Sequence, residues 1–255
     1  MNHINFASTF HDPEKQLKHL IEEVGEKLRT PFSTASVVYT PKTHPDEVAQ
    51  LEEIWYQTFK ADETVINTYQ VALKQACDSK TSNILYCDLD RALHWMKTYP
   101  DETLKFIQTP IKNDFILFGR TKRAFNTHPE TQTLTEGIGN KITSKLLDFP
   151  DTRDVLGTTW LLTPALAKQV LEKEPGNQYG FYIEWPITFW RSAMNPRYIE
   201  FEGLEWETPD RYKEEIKKQG LEQWKKDYQT HDEWIKRTHM LEDFIDSSLK
   251  RSNRP

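Results

Sequence analysis

Residues 83–90 read Asn83-Ile84-Leu85-Tyr86-Cys87-Asp88-Leu89-Asp90, and the rest of the chain is read outward from them. The run Ile84-Leu85-Tyr86-Cys87 shows no polar alternation, as expected of a strand covered on both faces. Asp88 and Asp90 stand two residues apart at its carboxyl end and so project to the same side. In open parallel sheets, ligands bind beyond those carboxyl ends. Two carboxylates there call for a cation, and hard ions such as Mg²⁺ or Mn²⁺ accept oxygen ligands readily. An ion so placed neutralises charge that develops on a leaving diphosphate. The alternative is that both acids cap the following helix and pair with Arg91.

Upstream, Ile4-Asn5-Phe6-Ala7-Ser8 reads as a short first strand. Asp12-Pro13-Glu14 reads as a helix start, with Asp12 as N-cap and Pro13 in the first turn. Leu17, Leu20, Ile21, Val24 and Leu28 then share one face at helical spacing. Ser36–Thr40 is a second strand, and helices are expected from about Pro45 to Phe59 and from about Glu63 to Cys77. Downstream, Pro100 opens a helix and Asp114–Gly119 is a further strand. Asn126 to Asp151, rich in Thr and Gly, is expected to be a loop and one helix. Trp160–Thr163 is a short strand, Pro164–Leu171 a helix capped by Thr163, and Pro175-Gly176-Asn177 a turn. Glu184–Met194 reads as a buried helix and Tyr198–Phe201 as a late strand. This alternation predicts an α/β fold with a mostly parallel sheet and right-handed crossovers. From Asp210 the composition shifts to Lys, Glu, Gln and Trp, giving two amphipathic helices broken near Gly220, with Trp224, Tyr228 and Trp234 facing inward. The expected organisation is one domain over 1–209 and a helical extension over 210–255.

The chain has 255 residues, 37% of them hydrophobic, enough for one large core. No apolar run approaches a membrane span. Residues Met1 to Ser8 lack the basic head and apolar centre of a signal peptide. Two cysteines, Cys77 and Cys87, cannot build a disulfide framework, and both sit in apolar neighbourhoods, as expected of reduced core residues in a cytoplasmic protein. A net charge of -6 argues against general nucleic-acid binding. A Gly-rich phosphate loop, a dinucleotide fingerprint and a Gly-x-Ser-x-Gly elbow are all missing from the sequence.

The stretch from Asn83 to Arg120 resembles the Asp-x-Asp segment of the GT-A type glycosyltransferases. It shows an apolar strand, Asp88-Leu89-Asp90, a proline-opened helix at Tyr99-Pro100-Asp101-Glu102, and a strand ending in Gly119. Asp154-Val155-Leu156-Gly157-Thr158-Thr159-Trp160 resembles that family's acceptor-side glycine segment, and Glu184-Trp185-Pro186 its acidic catalytic position. The resemblance implies a Rossmann-type three-layer αβα sandwich that binds a nucleotide-diphospho-sugar donor and an unidentified acceptor. It implies Mn²⁺ or Mg²⁺ on Asp88 and Asp90. It also implies nucleotide contacts from Ser8, Thr9, Asp12, Thr40 and Lys42, phosphate contacts from Arg91 and Arg120, and catalysis by Glu184 with Asp90.

Each assignment has a plainer alternative. The groups after the first two strands serve equally as turn and cap chemistry, and Glu184 as a complement to a helix dipole. Gly119-Arg120-Thr121-Lys122-Arg123 is either a phosphate-facing cluster or a solvated loop. His94 and His128 are candidate third metal ligands or packed histidines. The run from Glu202 to Arg211 either lines an acceptor pocket, completes the metal site, or forms an exposed edge. Arg91 departs from the family pattern, and it either binds phosphate or neutralises the acids without a metal. Two rival functions stand beside the transferase. One is a haloacid-dehalogenase-like phosphatase with Asp88 as nucleophile. The other is an inactive transferase-like binding protein that takes a partner, such as a second copy of the chain, through the C-terminal helices of Trp224 and Trp234, unless these pack back onto their own domain.

Overall fold

A computed structural model describes residues 3–55, 57–61, 64–78, 81–173 and 178–252. The first strand, β1 (Ile4–Phe10), is buried along its whole length. It leads through a loop to α1 (Lys18–Arg29), later than expected, because Asp12 does not cap directly. Its carboxylate instead reaches forward to accept from the Leu17 backbone N–H at 2.7 Å. Next come β2 (Thr34–Tyr39) and α2 (Pro45–Ile54), which starts on Pro45 with the His44 ring accepting from the Asp46 N–H. The helix expected to run to Phe59 stops at Ile54, and Gln57–Lys60 is the edge strand β3, paired parallel to β2. Trp55 turns extended at that break and is buried under Gly25, whose absent Cβ leaves it room.

Then follow α3 (Val65–Cys77), β4 (Asn83–Cys87), α4 (Leu89–Thr98), α5 (Pro100–Gln108) and β5 (Phe115–Arg120). The short α6 (Lys122–Thr127) follows, and the polar stretch from Asn126 to Asp151, expected to hold a loop and one helix, holds the long α7 (Glu130–Leu146) and the loop after it. Its apolar period is weak because α7 buries threonines, whose hydroxyls bond back to the preceding turn: Thr135 to the Thr131 carbonyl at 2.8 Å, Thr143 to that of Gly139 at 2.9 Å. Next are β6 (Thr159–Leu162), α8 (Pro164–Leu171), α9 (Phe181–Ser192) and β7 (Pro196–Phe201). Pro164 at the first helical position and the Thr163 hydroxyl accepting from Leu166 N–H start α8 where the sequence indicates. The expected turn at Pro175-Gly176-Asn177 lies outside the described residues. After a 3-10 turn at Thr208–Arg211, three helices close the chain rather than two: α10 (Lys213–Gln219), α11 (Leu221–Tyr228) and α12 (His231–Ser252). Gly220 makes the first break with φ 84°, a conformation that favours glycine.

Among the described residues the strands form one seven-stranded sheet, ordered β3-β2-β1-β4-β6-β5-β7. All neighbours run parallel except β6, which is antiparallel to both β4 and β5. Because strand side chains alternate, Phe6, Leu85, Cys87 and Phe118 enter a core shared with α1, α4 and α5. Ala7, Tyr86, Leu117 and Trp160 enter the opposite core under α3, α8 and α9. The result is a three-layer αβα sandwich. A third, smaller core joins α7, α9 and α12 through Leu156, Ile183, Met240 and Phe244. Trp224 of α11 packs on Trp206 and Tyr212, so this part of the tail lies on its own chain. No described helix is long and apolar enough to cross a membrane.

Candidate functional site

A cavity of about 450 Å³ opens at the carboxyl ends of β1, β2 and β4. Thr9, Phe10 and His11 line it after β1, and Thr40, Pro41 and Lys42 after β2. Thr64, Thr68 and Tyr69 supply the wall from α3, while Asp88 and Asp90 face it from the end of β4. Glu207 and Arg211 reach it from a segment about 120 residues further on.

Asp88 is held by three hydroxyls. Thr9 Oγ1 and the Tyr86 phenol donate to its Oδ1 at 2.8 and 2.9 Å, and the Tyr69 phenol to its Oδ2 at 3.0 Å. Tyr69 in turn bonds Tyr182 of α9 at 3.1 Å. Burial pushes the Asp88 carboxyl up to about 6, against the pull of Arg91 and the hydroxyl donors toward the charged form. Asp90 behaves oppositely. Burial would raise its carboxyl, but Arg211 and then Arg91 outweigh it and hold it below its ordinary value. Asp90 Oδ1 accepts from the Arg91 backbone N–H at 2.9 Å, and Oδ2 from Arg211 Nη2 at 3.1 Å.

Arg211 divides its fork. Nη2 also donates to the His11 carbonyl at 3.1 Å, and Nη1 stands 3.2 Å from Asp12 Oδ1. Behind Asp12 lies Glu47 of α2, equally enclosed at 0% exposure. Burial, then the charge of Asp12 beside it, pushes the Glu47 carboxyl up to about 8, so it stays protonated at neutral pH.

The site residues expected from sequence divide into two groups. Thr9, Thr40, Lys42, Asp88 and Asp90 come together around the cavity. Ser8, Asp12, Arg91, Arg120 and Glu184 do not line it. Ser8 is buried and donates to the Cys87 carbonyl at 2.7 Å, tying β1 to β4. Arg91 is buried on α4, donating to the Gly157 carbonyl and, at 3.3 Å, to Glu207. Arg120 is also enclosed, paired with Asp154 and Glu136, so its charge is spent inside the fold. Glu184 sits in the first turn of α9, two residues past Tyr182 and so about 200° round the helix from the phenol that faces Tyr69.

The two histidines are engaged elsewhere. His94 bonds Asp210 at 2.6 Å and Glu205 at 3.4 Å. His128 is enclosed beside Arg120, its pKa held well below the ordinary value by burial and by that guanidinium. The acidic run after β7 folds back toward Asp90 and brings Glu207 and Arg211 with it.

The carboxylates facing the cavity, Asp88, Asp90 and Glu207, offer oxygen ligands, which suit Mg²⁺ or Mn²⁺, with the His11 imidazole on the same wall. Among the described residues no three acids or histidines converge as a complete ligand set. A small hard cation does not require one, since it is commonly bound by one or two carboxylates together with substrate phosphates. Asp90, whose side chain is 26% exposed, and Asp88 beside it fit that arrangement.

No family profile matches the sequence, and no curated protein matches it. Solved structures do match. Glucosyl-3-phosphoglycerate synthase from Mycobacterium tuberculosis in complex with uridine diphosphate superposes with a TM-score of 0.57 at 11% identity, covering 100% of this chain and 81% of that one. A further structure of that enzyme matches with a TM-score of 0.57 at 11% identity, over 100% and 82% of the two chains. Its complex with Mn²⁺, UDP-glucose and phosphoglyceric acid matches with a TM-score of 0.53 at 11% identity, over 100% and 81%. The fold is of the GT-A type. At this identity the likeness is one of architecture, and the GT-A sheet places the cavity and its two aspartates at the carboxyl edge of β4.

Tyr69 and Tyr182 are site residues that sequence reasoning missed, whereas Glu207 and Arg211 belong to the run from Glu202 to Arg211 for which a pocket-lining role was one of the readings. Tyr69 falls within the helix expected from Glu63 to Cys77, on its apolar side, and Tyr182 falls just before the helix expected from Glu184. The partners of Arg211 carry no local signal, because Asp90 and Asp12 lie 121 residues and more away along the chain. The acids clustered from Glu202 to Asp210 were the sign that this segment mattered.

Proposed function

We propose that this chain is a glycosyltransferase that takes a sugar from a nucleotide-diphosphate donor bound in the cavity between β1, β2 and β4. The observation that carries the reading is that both carboxylates of Asp88-Leu89-Asp90 line that cavity on a GT-A sheet. The uridine diphosphate, UDP-glucose and Mn²⁺ held by the structural neighbours support it. In this proposal Thr9, Thr40 and Lys42 contact the nucleotide, and Asp90 with Asp88 holds a divalent ion. That ion supplies charge neutralisation for the departing diphosphate. The three hydroxyls on Asp88 orient its carboxylate, and Tyr69 and Tyr182 shield it from water on the α9 side. The geometry gives Glu184 no contact with this pocket, so the base that receives the acceptor proton is left unassigned.

A thermal-shift screen of nucleoside diphosphates and nucleotide sugars, with and without Mn²⁺, tests the reading. A ligand at about 100 times its dissociation constant adds roughly 2.7 kcal/mol to stability. The expected result is a Mn²⁺-enhanced shift with one nucleotide class, with the enhancement lost in Asp90→Ala. A screen without any shift would overturn donor binding. An unchanged Mn²⁺ effect in Asp90→Ala would displace the site.

A further inference from the structure

We propose that Arg211 is the cation that grips the donor diphosphate, trading its contact with Asp90 for phosphate while it keeps its contact with Asp12. The inference rests on the donor reading above and adds a residue and an exchange to it.

The two ends of the guanidinium differ. Nη1 faces Asp12, which is wholly enclosed, whereas Nη2 faces Asp90, which is 26% exposed and borders the cavity. Nη2 therefore has a route to an incoming anion that leaves the Asp12 contact in place. Asp12 also accepts the Leu17 N–H at 2.7 Å, which anchors the pivot to the start of α1. Glu47 behind it stays protonated at neutral pH, so it does not compete for the guanidinium with a second charge.

Charge makes the exchange necessary. Asp88, Asp90 and Glu207 face the cavity, and a diphosphate adds further negative charge to them. Arg91 is committed to Glu207 and to the Gly157 carbonyl inside the fold. Among the described residues the Lys and Arg side chains that line the cavity are Lys42, at the exposed rim, and Arg211. A planar fork with several N–H donors suits paired phosphate oxygens better than an ammonium does. When Nη2 moves to phosphate, Asp90 is released, and the same movement frees the carboxylate that a divalent ion needs. The donor's phosphates and the acidic motif thus exchange one cation, and part of the donor affinity persists without metal.

Isothermal titration calorimetry of UDP, GDP and ADP against the full chain, in EDTA and in Mn²⁺, tests this on wild type, Arg211→Ala and Arg211→Lys. For the nucleotide that binds, the wild-type Kd in EDTA is expected to lie within about tenfold of that in Mn²⁺. Arg211→Ala is expected to weaken binding in EDTA by at least about tenfold and less in Mn²⁺, with Arg211→Lys between the two. Wild-type binding abolished by EDTA, or binding in EDTA equal in wild type and Arg211→Ala, overturns the inference and leaves the donor reading standing. No binding by any of the three nucleotides in either condition overturns both. Unliganded melting temperatures report whether the alanine chain folds. If it does not, the wild-type EDTA titration and Arg211→Lys decide the matter.

Discussion

Replacing Glu47 by Gln should make the protein more stable as pH rises, relative to wild type. The Glu47 carboxyl stands at about 8 in the fold against an ordinary 4.5. For a carboxyl raised in this way, the unfolded chain gives up its proton first. The stabilising contribution is therefore complete below about pH 4.5 and is lost as pH climbs toward 8. The limiting slope is about 1.4 kcal/mol per pH unit. Glu47 is fully enclosed, and the slope falls below that limit only toward the ends of the range, where the unfolded or the folded carboxyl is partly titrated. Between about pH 5 and pH 7 the wild type should then lose about 2 kcal/mol that the Glu47→Gln chain retains. Urea unfolding of both proteins across that range measures the difference directly. A difference that stays flat to within about 0.5 kcal/mol would show Glu47 ionised in the fold. It would also remove the argument that Arg211 answers to Asp12 alone behind the cavity.

Three further substitutions probe the frame around the site. Arg120→Met leaves Asp154 and Glu136 buried without their cation and should cost about 3–5 kcal/mol; a loss under about 1 kcal/mol in urea unfolding would contradict the enclosed network. Tyr69→Phe removes one of the three donors to Asp88 and should cost about 1.5–3 kcal/mol above pH 7, less below pH 6 where Asp88 takes up a proton. Equal losses at both pH values would count against that hydroxyl serving the charged carboxylate. Gly203→Ala would put a Cβ 1.9 Å from Trp95 Cδ1, and overpacking there should cost about 1–3 kcal/mol, seen as a lowered melting temperature. An unchanged melting temperature would mean that Trp95 is not held where Phe118 and Phe201 surround it.

The sheet interior was legible wherever local chemistry determines it. The unalternating run of β4 is buried on both faces, and Thr163-Pro164 starts α8 as its residue types require. The edge strand β3 was read as helix because Leu51, Ile54, Trp55 and Phe59 mimic helical spacing and no glycine or proline interrupts them. Its pairing with β2 outweighs that local preference. The direction of β6 could not be read at all. Strand polarity depends on what precedes it, here two helices and a long loop, and Trp160 looks the same either way. In the site, Asp88 and Asp90 were visible because two like residues lie on one strand end. Arg120 was misjudged because the acids that bury it, Glu136 and Asp154, stand 16 and 34 residues away. The pairing of Arg211 with Asp90 and Asp12 was hidden for the same reason.

The reversed strand β6 also bears on biosynthesis. β1, β2, β3 and β4 pair among themselves, so that half of the sheet is complete once Cys87 has been made. β5 has no such neighbour. Among the described residues its partners are β6 and β7, and β6 lies between it and β4. The apolar segment Phe115-Ile116-Leu117-Phe118 therefore leaves the ribosome roughly 40 residues before anything exists to pair with it, a wait of about 2–8 seconds at ordinary elongation rates. Nascent chains halted between residues 120 and 159 should be the species that chaperones hold most firmly, and release should coincide with the emergence of Trp160.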